Sequence, residues 1–205
     1  MPDASRYPVP IGTRRVEQTI QRSRFITTTT RAPDAEAARV FVARIREEFP
    51  DASHNCWAFV AGPPGSTAHI GMSDDGEPHG TAGRPMLTTL LHGGVGEIVA
   101  VCTRYFGGVK LGTGGLSRAY SGSVKQALEA MPTVERVDRV RLRVAVGYPE
   151  VDGFRRLSAE REVVVESEDF GAEVIFVVGV PVTDHAGFEA ALSELTQGRA
   201  RVEPV

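Results

Sequence analysis

Lysine and cysteine are both scarce in this sequence, and each scarcity limits what the chain can do. Lysine occurs only at Lys110 and Lys125, so arginine supplies nearly all of the 23 basic side chains. The guanidinium is planar and forked, and it suits bidentate contacts with carboxylate or phosphate. Cysteine occurs only at Cys56 and Cys102, each inside an apolar, strand-like run. Such a pair reads as buried thiols of a reducing compartment, not as a disulfide framework. Long apolar stretches are missing too. None approaches the ~20 residues of a membrane-spanning helix, and the N-terminus lacks the apolar core of a secretory signal. The expected location is therefore the cytoplasm, with no membrane partner. The formal net charge of -3 argues against a strongly basic wrapper of nucleic acid but leaves room for a local patch. Residues 1–138 carry 15 basic and 14 acidic side chains, against 8 and 12 in residues 139–205, so a polyanion should meet the first part or the junction.

With 41% hydrophobic and 24% charged residues, the 205-residue chain is an ordinary globular one, long enough for one large core or two small ones. Residues 1–23, with Pro2, Pro8 and Pro10 among several arginines, read as a ragged start. Residues 24–31 (RFITTTTR) suit a strand, and residues 34–48 a helix whose apolar stripe is Ala38, Phe41, Val42 and Ile45. Strands over 54–61 and 68–72 should pair antiparallel. A polar loop at 73–84, a short helix at 85–91, a strand at 97–102 and a helix at 115–130 follow. Residues 131–138 read as the boundary between domains. Beyond it come a strand (140–146), a helix (151–161), two strands (162–166 and 173–180), a helix (184–196) and a strand (201–203). That order, β-α-β-β-α-β, is the split-βαβ pattern.

Residues 104–120, RYFGGVKLGTGGLSRAY, are the stretch most suggestive of binding. Gly112, Gly114 and Gly115 precede a helical pattern, and the first amides of a helix lack intrahelical partners and carry the positive end of its dipole. Arg104, Lys110 and Arg118 add charge, which makes an anion such as a phosphate the natural guest. Ser117 and Ser121 could meet that phosphate, and Tyr105 and Phe106 could stack on bases. Lys110 is followed by Leu111, and the glycine spacing is not that of a P-loop. The plain alternative is a tight strand-to-helix turn that binds nothing. In the polar loop, Asp74, Asp75 and Glu77, with His79 nearby, could hold a metal or act as acid and base. Equally, they could cap neighbouring elements or pair with Arg104, Lys110 or Arg118 and shape the glycine loop. His54, Cys56 and His69 lack a fourth partner for structural zinc. No metal, no cofactor and no catalytic residue is assigned.

Several motifs together resemble the Impact/YigZ family. They are Ser23-Arg24-Phe25-Ile26, His54-Asn55-Cys56, Ser73-Asp74-Asp75-Gly76-Glu77-Pro78, Gly80-Thr81-Ala82-Gly83 with Pro85-Met86, and Arg104-Tyr105-Phe106-Gly107-Gly108 through Lys110-Leu111-Gly112-Thr113-Gly114-Gly115-Leu116. The resemblance implies an α+β protein of two domains. Residues 1–132 would form an Impact N-terminal-like domain similar to domain 2 of ribosomal protein S5. Residues 139–205 would form a ferredoxin-like domain similar to elongation factor G domain V. No place is seen for the RWD domain of the eukaryotic members. Family members are associated with regulation of translation, so the expectation is a cytoplasmic protein that binds RNA or a ribosomal surface without turnover. Two other readings stay open. One is an enzyme acting on a phosphorylated small molecule through Asp74, Asp75 or Glu77. The other is a regulator that works only through other proteins.

Overall fold

The computed structural model describes residues 5–205. Pro2, part of the expected ragged start, lies outside them. The chain divides into two compact units, Met1–Arg136 and Val137–Val205.

In the first unit a five-stranded antiparallel sheet has the order β2-β3-β6-β4-β5. Its strands are β2 (Thr13–Ile20), β3 (Ser23–Arg31), β4 (His54–Val60), β5 (Ile70–Ser73) and β6 (Ile98–Tyr105). Helix α1 (Ala35–Glu48) covers one face, packing Ala38, Phe41, Val42 and Ile45 on Phe59, Val99 and Val101. Asp34 caps it by accepting from the Ala37 amide. Helices α2 (Gly83–His92) and α3 (Gly112–Glu129) cover the other face, where Met86, Leu90, Leu116, Ala119 and Val124 meet Phe25, Cys56, Ala58 and Ala100. Strand β6 is central and buried on both faces, which is why it reads as the unbroken apolar run IVAVC instead of alternating.

Over the described residues from 5 on, the expected ragged start is overturned. Strand β1 (Arg6–Pro10) forms a two-stranded sheet with β7 (Thr133–Val137), and β2 pairs with β3 over its whole length. Prolines are tolerated in so short a ribbon. The exposed arginines of β2, which suggested disorder, instead line an edge strand, where charge discourages further pairing. Buried Glu97 anchors this end by pairing with Arg31 and Arg136 and accepting from the Tyr7 hydroxyl. The stretch 131–138 is accordingly not a bare linker, because β7 fills most of it.

The second unit contains β8 (Arg139–Val146), α4 (Val151–Glu160), β9 (Val164–Phe170), β10 (Val174–Pro181), α5 (His185–Thr196) and β11 (Arg201–Pro204). The sheet order β11-β8-β10-β9 is antiparallel throughout, which is the ferredoxin-like arrangement of a split βαβ unit. Phe154 and Phe188 from the helices close over Phe176 and the β8 valines. Strand β9 begins two residues later than expected and runs four further, with a register shift opposite Val177 and Val178. The molecule is thus α+β. No described helix is long and apolar enough to cross a membrane.

Candidate anion-binding site

Helix α3 begins at Gly112, three residues earlier than the sequence pattern indicates, so Gly112, Gly114 and Gly115 lie inside its first turn. Leu111 provides no side-chain cap, and no acidic residue occupies that turn. Its first amides therefore remain uncapped among the described residues, at the positive end of an 18-residue helix. The turn forms because Gly108 and Gly112 take positive φ, +83° and +69°, a region that L side chains rarely adopt. Gly107 has another role. A β-carbon there would overlap the Arg22 carbonyl, so its absence lets the loop lie against the β2–β3 turn.

Arg118 lies one turn into the helix and folds back. Its Nη1 is 3.6 Å from where a β-carbon on Gly114 would sit. Lys110 and Arg118 are exposed and enter no ion pair among the described residues, and the same is true of Arg22. Ser117 donates its hydroxyl to the Thr113 carbonyl, and Ser121 to the Ser117 carbonyl, so both hydroxyls serve the helix itself.

Arg104 differs from the other two cations. It is 4% exposed, and its Nη1 lies 2.5 Å from Glu77 Oε1. It also donates to Ser23 Oγ and sits against the Phe25 and Phe106 rings, while its Nε has no hydrogen-bond partner among the described residues. The expected trio of surface cations thus reduces to Lys110 and Arg118, because burial commits Arg104 to a carboxylate. Tyr105, the last residue of β6, and Phe106, just beyond it, separate as well. Tyr105 donates to Asp51, and its ring lies beneath Arg24. Phe106 is half-exposed and faces the helix start.

The three loop carboxylates all have structural partners. Asp74 accepts from the amides of Gly80, Ala82 and Gly83 and so caps α2, whose own N-cap, Ala82, has no suitable side chain. Gly83 permits this, since a β-carbon there would lie 2.9 Å from the Ser73 backbone. Burial pushes the Asp74 carboxyl up, but the amides from Gly80, Gly83 and Ala82, with His79, outweigh it and hold it below the usual range. Asp75 pairs with Arg46 and accepts from the Asn55 amide. Glu77 receives both Arg104 and the Tyr120 hydroxyl. Among the described residues no group of three or more His, Cys, Asp or Glu is placed to hold a metal. Sequence reading missed Tyr120, although its place on the apolar stripe of α3, four residues after Leu116, carries a hydroxyl into the core where it needs an acceptor.

Cys56 and Cys102 are free, buried and directly opposite one another across β4 and β6. Burial pushes both thiols up, Cys102 to about 12.

Between the loop and the helix start lies a cavity of about 370 Å³. Pro78, Phe106, Leu111 and Leu116 supply apolar walls, Glu77 and Arg104 are paired within its lining, and Lys110 with Gly112 and Thr113 completes it. The acidic and glycine loops therefore meet in one place, joined through the Glu77–Arg104 pair.

Comparison with known proteins adds a lineage to this geometry. The model of the Impact N-terminal domain matches residues 21–128, and that of a domain of unknown function (DUF1949) matches residues 144–199. The chain is 41% identical to the IMPACT family member YigZ of Escherichia coli (strain K12), with 93% of each chain covered. It is 35% identical to the IMPACT family member YvyE of Bacillus subtilis (strain 168), over 91% of this chain and 85% of that one. A crystal structure of an hypothetical protein superposes with a TM-score of 0.69 at 39% identity, covering 98% of both chains.

Proposed function

The chain belongs to the Impact family, and we propose that it works in the cytoplasm as a non-catalytic RNA- or ribosome-binding module, with residues 1–132 and 139–205 as its two domains. The observation that carries the reading is the first turn of α3. There, free amides, the folded-back Arg118 and Lys110 concentrate positive charge, with no acidic residue in the turn. An anion relieves that concentration, and backbone phosphate is the anion that the family's association with translation favours. Turnover is not part of the reading, because Asp74, Asp75 and Glu77 are each held by amides or guanidinium groups. Surfaces engaged by regulatory proteins would lie elsewhere on the same scaffold.

The test is titration of RNA at several salt concentrations. Lys110→Ala and Arg118→Ala should weaken binding for many sequences alike, each lowering the log–log salt slope by roughly 0.7–0.9. Salt-independent binding, or no effect of either substitution, overturns the reading. The cavity beside Lys110 supports a second one, an enzyme acting on a phosphorylated small molecule. Turnover of such a compound with Mg²⁺, lost on Asp74→Asn, would establish it.

A further inference from the structure

The cavity extends from the anion seat, and its lining restricts the rest of the guest. A bare phosphate on the first turn of α3 would leave apolar walls of Pro78, Leu111 and Leu116 unoccupied. Phe106, a large aromatic that is 51% exposed, stands at the same cavity. An exposed aromatic next to an anion seat is what a nucleobase needs, because base stacking is tolerant of sequence and asks only for a flat apolar partner. Arg104 supplies the second constraint. It lines the cavity while 4% exposed, and its Nε is a buried donor with no acceptor among the described residues. A guanidinium can only donate, so a guest lying against this wall should carry acceptors, and every nucleobase carries carbonyl or ring-nitrogen acceptors. Size is the third constraint. About 370 Å³ lies at the low end of small-molecule sites, enough for one nucleotide unit and not for a stacked pair.

From these features we infer that the cavity takes one unstacked nucleoside phosphate, its phosphate on the first turn of α3 and its base against Phe106, Leu111 and Leu116. This rests on the anion reading of the same site and sharpens it. The preferred guest is a nucleotide that has left the stack, in single-stranded RNA or free in solution. A continuous duplex keeps its bases stacked and cannot supply one without paying to unpair it.

The experiment is fluorescence anisotropy on the full chain with a short labelled single-stranded RNA. The same RNA in duplex form, AMP and inorganic phosphate serve as unlabelled competitors. The single strand should bind more tightly than the duplex, and AMP should compete better than phosphate. Phe106→Ala should weaken the single strand by about 5- to 150-fold while leaving the salt slope unchanged. Thr113→Trp, at an exposed position lining the cavity, should fill it and weaken binding with every charge in place. AMP competing as well as the strand would identify the free nucleotide as the guest; a much weaker AMP would identify RNA. Equal affinity for duplex and single strand, or wild-type binding by Phe106→Ala, overturns the inference. If Lys110→Ala still weakens RNA while Phe106→Ala does not, the anion seat stands and the nucleotide cavity falls. If neither RNA nor AMP binds, both fall.

Discussion

Replacing Glu77 by glutamine should destabilise the first unit severely, because it strands a buried guanidinium. The pair is deep: Glu77 is 8% and Arg104 4% exposed, with 2.5 Å between Oε1 and Nη1. Glutamine keeps the shape and an acceptor for Tyr120, but it removes the negative charge that offsets the desolvation of Arg104. Breaking one side of such a pair costs about 3–5 kcal/mol, against a total domain stability of about 5–15 kcal/mol. Urea unfolding can be followed through Trp57, the single tryptophan, which is half-buried on β4 and stacked on Phe59. It lies in the first unit, the one that the substitution perturbs. With an m-value of about 2 kcal/mol per molar, the midpoint should fall by about 1.5–2.5 M. Adding Arg104→Met to Glu77→Gln should restore much of the loss, since the orphaned charge is then gone. A loss below about 1 kcal/mol, the range of exposed ion pairs, would refute the reasoning, as would a double variant no better than the single.

Gly107→Ala should cost at least about 1–3 kcal/mol in the same urea assay, because the added methyl overlaps the Arg22 carbonyl; a neutral substitution would show that the loop does not pack there. Asp74→Ala should cost about 0.5–2 kcal/mol through loss of the α2 cap. Because the folded carboxyl of Asp74 is depressed, its contribution is present above the unfolded pKa and is lost as pH falls through the folded one. Asp74→Asn should therefore flatten the stability profile in the acid range below about pH 4, and a profile parallel to wild type would exclude that role. Native Cys56 and Cys102 should resist alkylation at pH 8 and react only in urea, since both are buried with thiols pushed up; rapid labelling read by intact mass would contradict this.

Much of the fold was legible because it depends on local pattern. The α1 stripe recurs at helical spacing and is the stripe that is buried. The split-βαβ order needed only the sequence of elements, and the ferredoxin-like sheet follows from it. What escaped depends on partners far along the chain. Strand β1 takes its place beside β7, more than a hundred residues away, and its two prolines argue locally for disorder. Nothing in the apolar runs around Cys56 and Cys102 specifies that the two thiols stand opposite one another. The start of α3 was misplaced for a different reason. Glycine has low helix propensity, and the helix nevertheless begins at Gly112, supported by the packing of Leu116, Ala119 and Tyr120.

The site was legible in its residue types but not in its division of labour. Charge along a sequence does not say which charges are already spent. Asp74 serves the amides that begin α2, Asp75 holds Arg46 and the start of β4, and Glu77 neutralises Arg104. Each of the three thus has a structural demand to meet, and buried groups left without it would cost about 1–3 kcal/mol each. Lys110 and Arg118 face no such demand, because no carboxylate among the described residues holds them. The acidic loop thereby contributes to the cavity lining, while the cations and amides beside it remain uncommitted among the described residues. The anion we propose could enter without breaking an existing bond among the described residues, which is the physical argument for reading this corner of the fold as a phosphate seat.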